Sequence, residues 1–191
     1  FGAAAFLLFG VVAVQRLPLP RGRALLGALL YGLLGFGASY AFVYWGLLQV
    51  PAGLAAVVLA SAPLFTLMLA LVQRQERFRW RGLLGGVLAL IGITVMFSRS
   101  VSTAVPLPSL LSIVAAAVCF AEASIVAKQF PKSHPVSTNA VAMAAGAVIL
   151  LAISAVTHEA PVLPTLPATW IAFTYLVLLG SSTAFVLFLF V

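Results

Sequence analysis

Charged side chains are scarce in this sequence. Asp, Glu, Lys and Arg make up 7% of its 191 residues, whereas 64% of the residues are hydrophobic. Soluble domains carry about 25% charged residues, so this composition excludes a soluble globular fold. The few charges are unevenly distributed in sign, with three acidic and ten basic residues and a net charge of +7. This basic character therefore has to be interpreted in a lipid environment.

Residues that could form a catalytic or metal-binding cluster are also few. Cys119 is the single cysteine, which excludes an internal disulfide, and we expect it to pack as a small side chain inside an apolar run. His134 and His158 stand at opposite ends of another apolar run, so they cannot share a metal ion. The three acidic residues are spread over distant segments. We therefore expect no enzyme activity, no metal site and no cofactor.

The sequence is rich in long apolar runs. The run at 54–72 carries no charge and has about the 20 residues that cross a hydrocarbon core of about 30 Å. Lipid offers no hydrogen-bond partners to the backbone, and the runs lack the alternation of barrel strands, so each run is predicted to be helical. The predicted fold class is an all-α integral membrane helical bundle, with runs at 1–14, 24–48, 54–73, 82–98, 109–129, 137–156 and 170–191.

The loops between the runs indicate an orientation. If successive runs alternate in direction, nine of the ten Lys and Arg residues fall on one side of the membrane and only Arg99 falls on the other. Basic loops favour the cytoplasm, so we predict a multi-pass protein of the cell (inner) membrane with its basic loops cytoplasmic. These residues are expected to meet the lipid bilayer. No basic stripe interleaved with aromatic residues is present, so nucleic acid is not an expected partner.

An internal repeat suggests the architecture. Residues 37–43 match residues 180–186 with five identities in seven. Runs two and seven are therefore candidates for equivalent helices, as are runs one and six, and a unit of five helices would place its second copy upside down. We predict two inverted five-helix repeats, at 1–98 and 109–191. Ten helices in full require one helix before Phe1 and two after Val191, so the seven helices here are expected to be a fragment.

The region from run two to run four carries a recognisable pattern. A Pro-Ala-Gly turn separates two apolar runs, a proline interrupts the second of them, and a Glu-Arg pair precedes a glycine-rich third run. This region of about fifty residues resembles the EamA-type branch of the drug/metabolite transporter superfamily, through Tyr44, Leu47, Pro51, Ala52, Gly53, Ala56, Pro63, Glu76, Arg77, Gly82, Gly85 and Gly92.

The resemblance implies both a fold and a function. It implies ten helices in two inverted repeats, cytoplasmic termini, and a central cavity used for alternating access. It also implies transport of small organic solutes without ATP, often the export of metabolites, amino acids or drugs. Export is the leading expectation, and import is the first alternative because charge and topology carry no information on flux direction. A membrane scaffold protein without transport activity and an enzyme acting on lipids are the competing classes, and the scattered acidic residues argue against the enzyme.

Glu122 is the first candidate for a substrate-binding residue. It stands inside the run at 109–129, where an ionisable group costs at least ~2.5 kcal/mol unless it faces a cavity or a partner. Members of the resembled family usually have a small or neutral residue in this region, so the resemblance implies no role for Glu122. A carboxyl group here could bind a cationic substrate or carry a proton as the coupling ion. The alternative is a position near the cytoplasmic end, with the side chain reaching towards Lys128.

Hydroxyl and aromatic side chains supply the other candidate substrate-binding residues. Tyr40 and Tyr44 share one helical face, with Ser39 beside them, and such a face suits the recognition of cations and rings. Anchoring at the membrane interface is the alternative for the tyrosines. In the second repeat, Ser182 and Thr183 stand where Ser39 and Tyr40 stand in the first. If the cavity lies on the pseudo-symmetry axis, both sets should face it.

Two further patterns concern packing and motion. Pro63 removes a backbone hydrogen bond in mid-run, which predicts either a static kink or a hinge, with Ser61 and Thr66 satisfying the freed carbonyl groups. Small-residue patches at 35–39 and 82–86 permit close helix approach. These patches serve either packing within the fold or contact between two protomers, so a homodimer is one of the expected partners.

Overall fold

The structure is a computed structural model that describes residues 1–75, 105–158 and 166–190, together with single helical positions between Trp80 and Val95. For residues 188–190 it describes the backbone alone. The predicted run at 82–98 and its small-residue patch therefore lie largely outside the described residues. Glu76, Arg99 and Glu159 lie outside them as well.

The described apolar runs are helical, as predicted. Two of the helices are continued by π-helical segments, in which each backbone N–H bonds the carbonyl five residues earlier. The first, π1 (Leu33–Ala38), joins helix Arg23–Gly32 to helix Ser39–Leu47, and the second, π2 (Leu176–Thr183), joins helix Pro167–Tyr175 to helix Ala184–Phe190. The helices are α1 Gly2–Val14, α2 Arg23–Gly32, α3 Ser39–Leu47, α4 Ala52–Leu59, α5 Ala62–Val72, α6 Leu107–Gln129, α7 Pro135–Val156, α8 Pro167–Tyr175 and α9 Ala184–Phe190.

Five helical segments of the described chain are long and apolar enough to cross a membrane. They correspond to five of the predicted runs, and the shorter helix Gly2–Val14 corresponds to the first run. The chain is thus a multi-pass, all-helical membrane protein. The five segments are Arg23–Leu47, Ala52–Val72, Leu107–Gln129, Pro135–Val156 and Pro167–Leu187.

The helical segment Ala52–Val72 contains a break at the predicted proline. Helix α4 ends at Leu59, Ala60 and Ser61 form a turn, and Pro63 lies in the first turn of α5. Proline is tolerated there because the first turn of a helix has N–H groups without intrahelical acceptors. The Ser61 hydroxyl donates to the carbonyl of Val58, and the Thr66 hydroxyl donates to the carbonyl of Ala62. Both side chains therefore bond backbone carbonyls beside the break, as predicted.

The chain divides into two compact units, of which the first comprises residues 1–37 and 126–191. Within this unit α1 and α2 pack on α7, and π2 packs on α1. The closest approach is between Gly32 and Ala142, where a Cβ added to Gly32 would lie 2.3 Å from the carbonyl oxygen of Ala142. One turn further, Phe36 packs onto Gly146, and the Phe36 ring meets that of Phe185 with centroids 4.7 Å apart. Glycine thus allows these helices near backbone contact.

The second unit comprises residues 38–125. Helices α3 and α6 are joined by two serine hydrogen bonds that run in opposite directions. Ser39 donates to the carbonyl of Ala116 at 3.0 Å, and Ser112 donates to the carbonyl of Phe42 at 2.7 Å. Because lipid cannot hydrogen-bond these groups, bonds between helices satisfy polar side chains inside the membrane. Nearby, a core cluster of Val50, Ala55 and Ile113 joins the turn before α4 to α6.

The two π-helical segments begin at matching places in the predicted repeat. Leu33 and Leu176, the first residues of π1 and π2, are separated by the same interval as Gly37 and Gly180, the first residues of the matching heptapeptides. Isolated π-helical turns are rare and occur frequently at functional sites. Their shared position supports the predicted equivalence of runs two and seven. The division into two inverted repeats stays a prediction.

Candidate functional site

Glu122 on α6 is hydrogen-bonded to the end of α5. Gln73 directly follows α5, and its Nε2 donates to Oε1 and Oε2 of Glu122 at 2.9 and 2.8 Å. Gln75 in turn donates from its Nε2 to Oε1 of Gln73 at 2.8 Å. Glu122 and Gln73 are half-buried, and Gln75 is exposed. The three side chains thus form a hydrogen-bonded chain from the exposed end of α5 to a carboxylate on α6.

The backbone at the end of α5 fixes the position of Gln73. Arg74 adopts a left-handed conformation with φ of 57°. The N–H groups of Arg74 and Gln75 donate to the carbonyls of Leu71 and Ala70 at 3.0 and 2.8 Å. These two bonds form a Schellman motif, which makes Gln73 the capping residue of α5. Its side chain therefore leaves α5 where the helix ends and reaches Glu122.

In the part of the chain that the structure describes, the hydrogen-bond partner of Glu122 is an amide and not a basic residue. Gln73 is neutral, and Glu122 forms no ion pair with any basic residue in the described part of the chain, Lys128 included. The last carbonyl groups of α5 add partial negative charge nearby. Glu122 lies about two helical turns (~10 Å) before the end of α6 at Gln129. The carboxylate thus lies nearer to the predicted cytoplasmic end of α6 than to its other end, and its partner among the described residues is an amide rather than Lys128. The predicted role of Glu122 in substrate binding stays a prediction.

Tyr40 and Tyr44 form a contacting aromatic pair on α3. Their ring centroids are 5.9 Å apart, and their planes meet at 60°. Tyr40 is half-buried, whereas 56% of the surface of Tyr44 is exposed. The predicted sharing of one helical face is therefore correct. Two adjacent rings with hydroxyl groups offer a surface on which a cation or an aromatic solute can bind.

Ser39 lies on a different face of α3 from the tyrosines. It is buried, and its hydroxyl donates to the carbonyl of Ala116 on α6. Gly46, two turns along the same face, packs so closely on Ile113 that an added Cβ would lie 2.5 Å from its Cδ1. Ser39 therefore takes part in helix packing, and the structure does not bring it together with the tyrosine pair. Its predicted role in substrate binding stays a prediction.

Ser182 and Thr183 lie at the end of π2. Their hydroxyl groups donate to the carbonyls of Val177 and Leu178, each at 2.8 Å and each five residues earlier in the chain. Ser182 is half-buried and Thr183 is exposed. The hydroxyl oxygens remain able to accept a hydrogen bond, so both residues keep a polar function available to a solute. Their predicted place in a shared cavity stays a prediction.

Two polar residues of the membrane segments escaped the sequence analysis. Asn139 on α7 is fully buried, and its Nδ2 donates to the carbonyl of Phe185 on α9 at 2.9 Å. The argument that selected Glu122, a polar side chain inside an apolar run, applies equally to Asn139 and would have found it. Gln73 carried a weaker signal, because it stands at the boundary of its run, where polar residues are ordinary. Only its hydrogen bonds to Glu122 in the folded structure show its importance.

In each of the two compact units, the candidate residues supply groups that can bind a solute or an ion. Among the described residues, no group of three or more His, Cys, Asp or Glu side chains could hold a metal ion. In the second unit, Glu122 offers a carboxylate to a cationic group, and the tyrosine pair offers aromatic surface and hydroxyls. In the first unit, Ser182 and Thr183 offer hydroxyl oxygens. These are the groups typical of recognition of small amphipathic molecules.

The chain is similar to known membrane transporters. The model of the EamA-like transporter family matches residues 1–98, which is half of the chain. The inner membrane transporter YedA of Escherichia coli K12, named as uncharacterized, is 30% identical over 188 residues, which cover 96% of this chain and 60% of YedA. A protein of Streptantibioticus cattleyicolor named as a probable terminal-alkyne amino-acid exporter is 37% identical over 87 residues, which cover 46% of this chain and 28% of that protein.

A third relative is named for transport in the opposite direction. The S-adenosylmethionine uptake transporter of Rickettsia prowazekii is 30% identical over 164 residues, which cover 83% of this chain and 51% of that protein. The chain thus spans between about a quarter and three fifths of the length of these three relatives. No solved structure matches the chain.

Proposed function

Because this chain belongs to the EamA-like transporter family, we propose that the whole protein is a secondary transporter that exports small organic solutes by alternating access. The proposed solutes are metabolites, amino acids or drugs that carry both an apolar part and a polar group. The described helices would contribute part of the solute path, and both faces of the membrane would be reached by rocking of two inverted helical repeats.

The observation that carries this proposal is the state of Glu122. A carboxylate at the centre of a membrane-spanning helix costs about 2.5–3.5 kcal/mol unless a partner or water compensates it, and Glu122, about two turns from the end of α6, bears part of this cost. Here its partner is the neutral amide of Gln73. If residue 122 served helix packing alone, an apolar side chain would serve it at a lower free-energy cost. A carboxylate whose partner among the described residues is an amide is therefore best explained as a binding group for a cation, either the ammonium group of a solute or a coupling proton.

The names of two relatives are consistent with a solute that carries an amino group. One is named for the export of an amino acid and another for the uptake of S-adenosylmethionine, which also contains an amino-acid moiety. The two names imply opposite directions, so relatives alone give no direction for this chain. Export rests on the resemblance of its central pattern to a family in which export is common, and import is the second candidate.

The test measures solutes around cells that produce the full-length protein. We expect overproduction to raise the concentration of at least one amine-bearing metabolite in the medium, and Glu122→Gln to remove most of this increase. Ser124→Ala is the matched control, because Ser124 lies on the same helix and donates only to the carbonyl of Phe120. Solute depletion from the medium instead of enrichment would establish import. No change in medium or cytosol under several growth conditions would favour a scaffold protein.

A further inference from the structure

We propose that Gln73 occupies the binding position of the substrate cation on Glu122, so that a solute binds by displacing the Gln73 amide. This inference rests on the proposed function, because it concerns how the same carboxylate recognises a solute. It assigns to Gln73 a role in setting substrate affinity that neither its position nor its residue type predicts from the sequence.

The geometry of the contact supports displacement. The Nε2 of Gln73 lies 2.9 and 2.8 Å from the two oxygens of Glu122. One nitrogen placed between two carboxylate oxygens is the position that an ammonium or guanidinium nitrogen takes in an ion pair. The amide therefore uses the same acceptor atoms as a cationic solute would, and both cannot bind fully at once.

The electrostatics favour the cation over the amide. A hydrogen bond from a charged donor to a carboxylate is roughly twice as strong as one between neutral groups. Arg74, which directly follows Gln73, places a positive charge beside the last carbonyl groups of α5, so the preference for a cation rests on the charge of the donor itself. The amide thus stabilises the empty carboxylate without holding it as tightly as an internal Lys or Arg would.

The amide of Gln73 has a second contact besides that with Glu122. Gln75 is exposed and already donates to Oε1 of Gln73 at 2.8 Å. The backbone of Gln73 is held by the Schellman motif, so only its side chain has to move. Rotation of one side chain at a helix end is a small change, and it links solute binding to the contact between α5 and α6.

The chain provides a matched control for Gln73. Gln15 caps α1 in the same Val-Gln-Arg sequence, and Arg16 follows it with φ of 51°. The N–H of Leu17 donates to the carbonyl of Val12 at 3.0 Å, as Gln75 does to Ala70. The two glutamines therefore share their local structure, but Gln15 is exposed and Gln73 binds a carboxylate. An effect that is seen in Gln73 variants but not in the corresponding Gln15 variants therefore reflects the contact of Gln73 with Glu122.

The experiment measures binding to the purified full-length protein. The probes are L-leucinamide and benzylamine, which are cationic at about pH 6.5, and the neutral N-acetyl-L-leucinamide and benzyl alcohol. We expect Gln73→Leu to bind at least one cationic probe about three- to tenfold more tightly than the wild type, because no amide has to be displaced. Gln73→Lys should lose this binding, since its ammonium group occupies Glu122 permanently. Gln15→Leu should bind as the wild type does.

Several outcomes would overturn the inference. Unchanged or weaker binding by Gln73→Leu would show that the amide does not compete, and so would binding of a neutral probe with the same gain. Absence of cation binding by Gln73→Leu up to about 10 mM would have the same meaning. In each case a loss of transport in Glu122→Gln would leave the proposed function standing. Transport that survives Glu122→Gln would instead remove the basis of both proposals.

Discussion

At the scale of single residues, left-handed backbone conformations mark where helices end. Arg16, Arg74 and His158 have φ of 51°, 57° and 54°, and each is the second residue after a helix. Glycine usually occupies this position, since a side chain makes the conformation less favourable. An arginine there, as at Arg16 and Arg74, is a compromise: it accepts some backbone strain and places a positive charge beside the negative end of the helix dipole.

Replacement of Arg16 separates these two contributions. Arg16→Gly and Arg16→Ala remove the same charge, but only glycine adopts a positive φ without strain. We expect Arg16→Gly to be more stable than Arg16→Ala by about 1 kcal/mol. Thermal unfolding of the two purified variants in the same detergent gives the comparison. Equal midpoints would mean that the left-handed conformation at Arg16 carries no strain.

Ser39 allows a test that separates packing from solute binding. Its hydroxyl bonds the carbonyl of Ala116 on α6, so Ser39→Ala should lower stability by about 0.5–1 kcal/mol. It should leave the Michaelis constant for the transported solute within about twofold of the wild type. Thermal unfolding and a transport titration on the same preparation measure both quantities. A raised Michaelis constant at unchanged stability would instead support the predicted role of Ser39 in substrate binding.

At the scale of helices, close packing rests on single glycines. A Cβ on Gly32 would meet the backbone of Ala142, with its oxygen at 2.3 Å and its Cα at 2.7 Å. Backbone atoms cannot move aside as a flexible side chain can, so the two helices would have to separate. Gly10 on α1 is the opposite case, because an added Cβ there meets nothing within 4 Å.

These two glycines give a prediction with its own control. We expect Gly32→Ala to lower the free energy of unfolding by about 2 kcal/mol or more, since overpacking outweighs the gain in helix propensity. Gly10→Ala should be neutral or stabilising by up to about 1 kcal/mol. The denaturation midpoints of both variants, compared with that of the wild type, test these two expected changes in stability. A tolerated Gly32→Ala would show that α2 and α7 are less tightly packed than the structure indicates.

The helices also show what the sequence can and cannot predict. The ends of the apolar runs predicted the membrane segments closely, because lipid makes hydrophobic length a direct constraint. The π-helical turns at 33–38 and 176–183 left no trace in the hydrophobic pattern, since they depend on the hydrogen-bond register that packing selects. The contact of Gln73 with Glu122 was invisible for a related reason. Gln73 and Glu122 are 49 residues apart in the chain, and they meet only when the protein has folded.

At the scale of the whole molecule, the central question is the inverted repeat. Helices α1 and α7 belong to runs that the sequence pairs as equivalents, and both end in the same way. Gln15 and Thr157 follow them as capping residues, and Arg16 and His158 then adopt the left-handed conformation. Equivalent helix ends should lie on the same side of the membrane in a direct repeat and on opposite sides in an inverted one.

The single cysteine makes this distinction measurable in cells. Every native cysteine of the full-length protein, Cys119 included, is replaced by alanine, and new cysteines are introduced one at a time as Gln15→Cys and Thr157→Cys, at exposed positions. A maleimide that cannot cross membranes should label Thr157→Cys in intact cells and should label Gln15→Cys only after the cells are opened, because basic loops favour the cytoplasm. Labelling of both in intact cells, or of neither, would contradict the inverted repeat. Labelling of Gln15→Cys alone would keep the inversion but reverse the predicted orientation, and the Gln73–Glu122 contact would then lie towards the outer surface.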